Sequence, residues 1–319
     1  PFVWQFTVRS EYGQGQFSPE DTVRVSGTDA QFEPRKLGTI TVPSTPYAGY
    51  LNDDLRGDVA VVNQETESVT VRYGAELDGS SAQTVSVPGA TTLAGGDING
   101  DGRPDLVTAH TFEDSLGVVV NNGGTFQLDG KIPTGARPTD IVVADLNGNG
   151  AQDLAVTPFG ENSVYVHLNE NNGRGEFRPP QVYDSGAGPS SIAARDIDND
   201  GDLDLLVGST GDQTIEWLEN DGAAGFTQSG SIGLGFVPST LVVNDVVGND
   251  GSTTGDGWVD IIVTGQEGNQ TLLYENDGTP SFNFTERSIS SPDEPATGTA
   301  LADIDGREGE YALDLISGY

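Results

Sequence analysis

No cysteine occurs in the 319 residues, so no disulfide staples the chain and no thiol chemistry is open to it. Methionine is also missing, even from position 1. The chain starts Pro1-Phe2-Val3, which reads as a processed or excised piece of a larger polypeptide, any signal or anchoring segment lying outside it. Basic residues are scarce: 14 Lys and Arg stand against 49 Asp and Glu, a formal net charge of −35. A face able to neutralise phosphates cannot be assembled from so few cations, which argues against nucleic acid as a partner. No run of 18 apolar residues exists, so no helical membrane span is expected within the chain. Histidine occurs only twice, at His110 and His167, and neither a G-x-S-x-G elbow nor an H-E-x-x-H motif is present. The hydrophobic share is 34%, low for a globular chain, whereas glycine is abundant at 44 residues. That balance suits short strands and many turns.

What the chain has instead is a repeated acidic loop. In Asp196-Ile-Asp198-Asn-Asp200-Gly201-Asp202-Leu-Asp204, oxygen donors alternate and a glycine stands sixth. A hard cation such as Ca²⁺ takes six to eight oxygens, and glycine permits the turn that wraps them round one centre. Asp196, Asp198, Asp200 and Asp204 read as side-chain ligands, and Asp202 as a backbone-carbonyl donor. A lone loop of this kind would be a solvated acidic turn, but copies recur. Their closing aspartates are 58, 105, 153, 204, 260 and 314, spaced by 47, 48, 51, 56 and 54 residues. A period in that range means repeat architecture.

Between loops each repeat reads alike. A short apolar strand, such as Ile141–Ala144, leads into the loop. The closing aspartate starts a second strand. A third, such as Ser163–Leu168 or Thr214–Leu218, runs into an Asn-Gly or Asp-Gly turn, where positive φ is expected. A phenylalanine then opens the fourth, at Phe126, Phe177, Phe226 and either Phe282 or Phe284. Four strands in about 50 residues is the pattern of a propeller blade. Residues 1–45 lack a loop and read as extended runs Phe2–Val8, Phe17–Val25 and Phe32–Val42. The sixth repeat stops after its second strand. Strands from residues 1–45 are expected to complete it, giving an all-β, six-bladed propeller closed by both chain ends, with seven blades as the alternative. The whole of 1–319 is then one domain, with the loop repeats in 46–319.

The motif D-x-[DN]-x-[DN]-G-x-x-D before an apolar strand, at this period, resembles the FG-GAP/VCBS repeats of integrin α-subunit propellers and of many secreted microbial proteins. The resemblance covers roughly residues 46–319. It implies Ca²⁺ in the loops, about three to five ions. By position, one site would comprise Asp97, Asn99, Asp101, the Arg103 carbonyl and Asp105. Another would comprise Asp145, Asn147, Asn149, the Ala151 carbonyl and Asp153. The fourth loop carries an insertion and offers Asp245, Asp256, the Trp258 carbonyl and Asp260, its third ligand undefined. The last offers Asp303, Asp305 and Asp314, with Tyr311 where glycine belongs. The first has Tyr50 in place of the opening aspartate, followed by Asn52, Asp54 and Asp58.

The expected function is an extracellular or cell-surface recognition or adhesion module for glycan or protein. A propeller-based polysaccharide lyase or hydrolase ranks below it, because no catalytic set is in view, and a structural surface or spike component is the third reading. The aromatic candidates for a sugar platform are Trp4, Trp217 and Trp258, with packing the favoured role of Trp217. The acidic excess fits either a halophilic setting or a solubility device.

Overall fold

The computed structural model describes residues 6–8, 46–54, 56–74, 82–246, 256–266, 270–279, 283–288, 298–302 and 314–318. Among these all regular structure is antiparallel strand, in five four-stranded sheets and one three-stranded sheet. Each four-stranded sheet is a meander with its strands in chain order. The first runs Tyr47–Gly49, Asp58–Asn63, Ser68–Arg72, Ala82–Ser86; the second Thr92–Gly96, Asp105–His110, Ser115–Asn121, Phe126–Pro133. The third runs Pro138–Ala144, Asp153–Pro158, Ser163–His167, Gln181–Asp184; the fourth Pro189–Arg195, Asp204–Ser209, Thr214–Asn220, Phe226–Gly233. The fifth runs Pro238–Asn244, Asp260–Gly265, Thr271–Asn276, Phe284–Ser288. In the three-stranded sheet Gly298–Ala302 pairs with Asp314–Gly318, which pairs in turn with Phe6–Val8. The two ends of the chain therefore share one sheet, in the register Phe6↔Gly318, Thr7↔Ser317, Val8↔Ile316.

The chain forms two compact units, Lys36–Ala194 with Gly201–Gly233, and Pro1–Arg35 with Arg195–Asp200 and Leu234–Tyr319. In the first, the sheets are blades whose second strands are buried on both faces, while their fourth strands are largely exposed. Every residue of Asp105–His110 and of Asp153–Pro158 is buried. Successive strand residues point to opposite faces, and here each face meets a different neighbour. Leu106 joins a core with Val62, Val71 and Leu93, whereas the next residue, Val107, joins one with Ile141, Leu154 and Val156. Leu154 and Ala155 divide in the same way between that core and one with Leu205 and Val207. This explains why the second strands read as continuous apolar runs: a strand covered on both faces has no polar side to alternate. Each fully buried Leu or Val contributes about 1.5–3 kcal/mol. In the second unit, Pro238–Asn244 packs beside Gly298–Ala302.

Two details depart from the sequence reading. Phe177 does not open a fourth strand. It makes an isolated bridge to Asn169, and the strand begins at Gln181. Pro179 and Pro180 intervene, and a residue without an N–H cannot donate to the ladder. In the second sheet the positive φ values fall on Gly123 and Gly124, not on Asn122. The Asn122 N–H donates to the Thr125 carbonyl at 2.8 Å, which makes 123 and 124 the central residues of the turn. The fourth strand of the fifth sheet begins at Phe284, and Phe282 lies outside the described residues. Of the N-terminal runs, Phe6–Val8 is a strand, and Phe17–Val25 and Phe32–Val42 lie outside the described residues.

Candidate metal centres

Each acidic loop joins the first and second strands of its sheet. In the second sheet the last residue of the first strand, Gly96, pairs with the closing Asp105; in the third, Ala144 pairs with Asp153. The loop between them turns through two left-handed residues, Gly100 (φ 73°) with Gly102 (φ 86°), and Gly148 (φ 67°) with Gly150 (φ 87°). A Cβ on any of these four would meet nothing within 4 Å, so the backbone conformation, not space, requires glycine. In the 196–204 loop the earlier of the two positions is Asn199, with φ 60°. Asparagine tolerates that region better than most residues. The sequence motif marks the sixth position, and the Gly, Gly, Asn series at the fourth is the further signal of the second left-handed residue.

The alternate side chains fold back on the loop itself. Asp97 Oδ1 accepts the N–H groups of Gly100 (2.8 Å) and Asp101 (3.1 Å), and Oδ2 accepts that of Gly102 (2.8 Å). Asn99 Oδ1 accepts the Asp101 N–H, and Asp101 Oδ1 that of Arg103, each at 2.9 Å. The 145–153 loop repeats this with Asp145, Asn147 and Asn149, whose oxygens accept from Asn149, Gly150 and Ala151. In the fourth loop Asp245 accepts from Asp256 and Gly257, and Asp256 Oδ1 from Trp258. The insertion thus leaves Asp256 in the role of Asp101, while residues 247–255, which would hold the third donor, lie outside the described residues. The first loop keeps the pattern without an opening aspartate: Asn52 Oδ1 accepts from Asp54, and Asp54 Oδ1 from Arg56. Asp200 N–H donates to both Asp196 and Asp198. Carboxylate oxygens of Asp196, Asp198 and Asp204 lie within 4.8 Å of one another. The Asp202 side chain lies against Gly222.

The closing aspartates differ from the others in being fully buried: Asp58, Asp105, Asp153 and Asp204 are at 0% exposure and Asp260 at 1%. One oxygen accepts the N–H of the loop's second residue, as Leu51→Asp58 (2.8 Å), Ile98→Asp105 (3.2 Å) and Leu146→Asp153 (3.1 Å). The other accepts an N–H at the end of the third strand, from Gly74, Asn121, Asn169, Asn220 and Asn276. Burial pushes the Asp105 and Asp153 carboxyls up to about 6, against the pull of these N–H donors, and neighbouring Asp101 and Asp145 push in the same direction. A positive charge beside them would relieve that cost.

Asp303 and Asp305 lie outside the described residues, and Asp314 begins a strand as expected of a closing position. Both histidines are buried, at 0% exposure. Burial lowers His110 and takes His167 down to about 4, so both are neutral at pH 7. Trp217 is buried with its ring against Gly230 of the adjacent strand, Trp258 is half-buried, and Trp4 lies outside the described residues.

The chain matches the FG-GAP-like repeat over residues 97–156, 146–207 and 253–307, together more than half its length. It belongs to the FG-GAP-like repeat family. Among curated proteins it is 32% identical over 146 residues to mouse integrin alpha-IIb, across 36% of this chain and 14% of that subunit. It is 30% identical over 146 residues to human integrin alpha-7, across 39% of this chain and 12% of that one. The match thus spans a small part of either relative. Among solved structures it resembles a Lactobacillus plantarum protein (TM-score 0.56, 16% identity, covering 82% of this chain and 75% of that one). It also resembles virginiamycin B lyase from Staphylococcus aureus (TM-score 0.53, 16% identity, 82% and 75%). At such identities the likeness is one of fold.

Proposed function

We propose that this chain is a cation-stiffened β-propeller that serves as an adhesion-type recognition module, binding protein or glycan at an extracellular surface. The observation that carries the reading is the recurrence of one oxygen-lined loop, with the same internal hydrogen bond from its glycine to its opening aspartate, in the second, third and fifth sheets. The donor set fits a hard cation. It is all oxygen, and its backbone N–H groups are already turned onto the side chains, so each ligand is oriented before an ion arrives. Asp97, Asn99, Asp101 and Asp105 would hold one ion with the Arg103 carbonyl. Asp145, Asn147, Asn149 and Asp153 would hold another with that of Ala151. Asp196, Asp198, Asp200 and Asp204 would hold a third with that of Asp202. Asp245, Asp256, Asp260 and the Trp258 carbonyl, and Asp303, Asp305 and Asp314, are the remaining sets, for three to five ions in all. Bound Ca²⁺ supplies positive charge to buried carboxylates and cross-links the loop. Extracellular modules bind Ca²⁺ at about 10⁻⁴–10⁻³ M, which suits that compartment.

The architecture we infer is a single six-bladed domain. Five complete meanders and a sheet drawing strands from both ends support that count. Cysteines placed at Thr7 and Ser317, opposite one another in an otherwise cysteine-free chain, should form a disulfide on oxidation. Failure to do so under native conditions would refute the closure. Recognition is tested by screening glycan arrays and cell-surface proteins in Ca²⁺ against a chelator control. A ligand bound only with Ca²⁺ supports the proposal, and turnover of an acidic polysaccharide would replace it with an enzymatic one.

A further inference from the structure

At the end of the third strand in successive sheets stands an asparagine that is almost completely buried, Asn121 at 0%, Asn169 at 2% and Asn220 at 4% exposure. Each uses its whole amide. One Nδ2 bond goes to the carbonyl just before the closing aspartate of its own sheet: Pro104 (2.9 Å), Gln152 (3.0 Å) and Leu203 (2.8 Å). The other crosses to the preceding sheet, to the carbonyl of the second residue of that sheet's acidic loop: Leu51 (3.0 Å), Ile98 (2.8 Å) and Leu146 (2.8 Å). Its Oδ1 accepts from the hairpin turn, at Gly124, Asn171 and Gly222 respectively.

These bonds join those of the closing aspartates into one buried series. From Asn220 it runs to Leu146, whose N–H reaches Asp153, which holds the Asn169 backbone N–H. From Asn169 it runs to Ile98, Asp105 and Asn121, and then to Leu51 and Asp58. It stops at Gly74, which gives its backbone N–H to Asp58 at 2.7 Å but has no amide to pass further. The second loop residue is the shared element. Its side chain anchors in the core between its sheet and the next, as Ile98 and Leu146 do, and it lies between the first two candidate donors.

We propose that Asn121, Asn169 and Asn220 are positioning residues that couple neighbouring loops, so that a cation held in one loop raises the affinity of the next. This rests on the cation reading above. Closing a loop on an ion fixes the backbone of its second residue, and hence the carbonyl that the next sheet's asparagine must hold. A buried amide left without that carbonyl is costly, so ordering of the two loops is linked, and the linkage acts equally in both directions.

The test follows the Gly102 and Gly150 amide resonances of the full chain during Ca²⁺ titration. Asp97→Asn weakens the 97–105 loop directly. In the parent chain it should also raise the midpoint at Gly150, by about fivefold. In an Asn169→Gly background that remote shift should vanish. Glycine is the variant of choice because Gly74 occupies the matching place in the first sheet. A remote shift that persists without Asn169, or that never occurs with it, overturns the proposal. If Ca²⁺ moves neither resonance, the cation reading itself has failed, and coupling is then read from amide exchange in the metal-free chain. Asn169→Gly should speed exchange at Ile98 but not at Leu51, which Asn121 holds; equal effects at both, or none, would dismiss the link.

Discussion

Single aspartates in these loops have separable duties. Asp101 is exposed and orders only the Arg103 N–H, whereas Asp105 is buried and holds two N–H groups from distant parts of the sheet. In chelator, Asp101→Ala should therefore cost under about 1 kcal/mol, while Asp105→Ala should cost on the order of 2–4 kcal/mol by leaving two buried donors unpaired. Urea denaturation of both variants decides this, and equal losses would refute it. His167 carries the clearest pH signature. Its folded value near 4 lies below its unfolded 6.5, so stability is full above 6.5 and falls as pH drops from there toward 4, by on the order of 3 kcal/mol. His167→Gln should flatten that acid limb, and urea midpoints at pH 7 and pH 4.5 that drop as steeply as the parent's would exclude the assignment. The Asp105 and Asp153 carboxyls, raised to about 6, act oppositely in the metal-free chain, favouring the fold as pH falls through 6.

For the loop as an element, the first copy is informative. Its Asx turns and its closing Asp58 are in place although Tyr50, 63% exposed, stands where the others have aspartate. The two Asx turns and the bonds of the closing aspartate thus survive loss of the opening ligand, whereas Asp53 lacks the left-handed backbone found at the same place in the 97–105, 145–153 and 196–204 loops. Tyr50→Asp is expected to add one bound ion by calorimetry; an unchanged count would mean that the site lacks more than that carboxylate. The acidic motif was legible in the sequence because a tight turn restricts residue type locally: glycine at φ near +86°, short oxygen-bearing side chains between. Likewise the strand after each loop was legible from its apolar run. Asn121 and Asn220 stand in the sequence only as neighbours of hairpin-turn residues, and nothing local marks Asn169. Their partners lie 70, 71 and 74 residues away, beyond the reach of any local pattern. Only the constant 16-residue step from closing aspartate to asparagine could have exposed them.

At the scale of the whole molecule, charge ranks the loops. The 145–153 loop offers two carboxylates, Asp145 and Asp153, the 97–105 loop adds a third, and the 196–204 loop supplies four as side chains. Occupancy should be lost in that order as chelator rises, with the melting temperature falling as ions leave the folded form. A 145–153 site that proves tightest by titration would reverse the ligand assignment. The net charge of −35 exceeds what a few divalent ions offset, and molar salt should raise the melting temperature if the surface is adapted to it. The sheet built from both chain ends has a mechanical corollary. Because Phe6 lies opposite Gly318 and Val8 opposite Ile316, the chain departs from both strands at the same end of the ladder. Tension applied through the two ends would load this clasp as a zipper, one hydrogen bond at a time, and not in shear across all of them together. It should yield at low force in a pulling experiment, ahead of the four-stranded meanders.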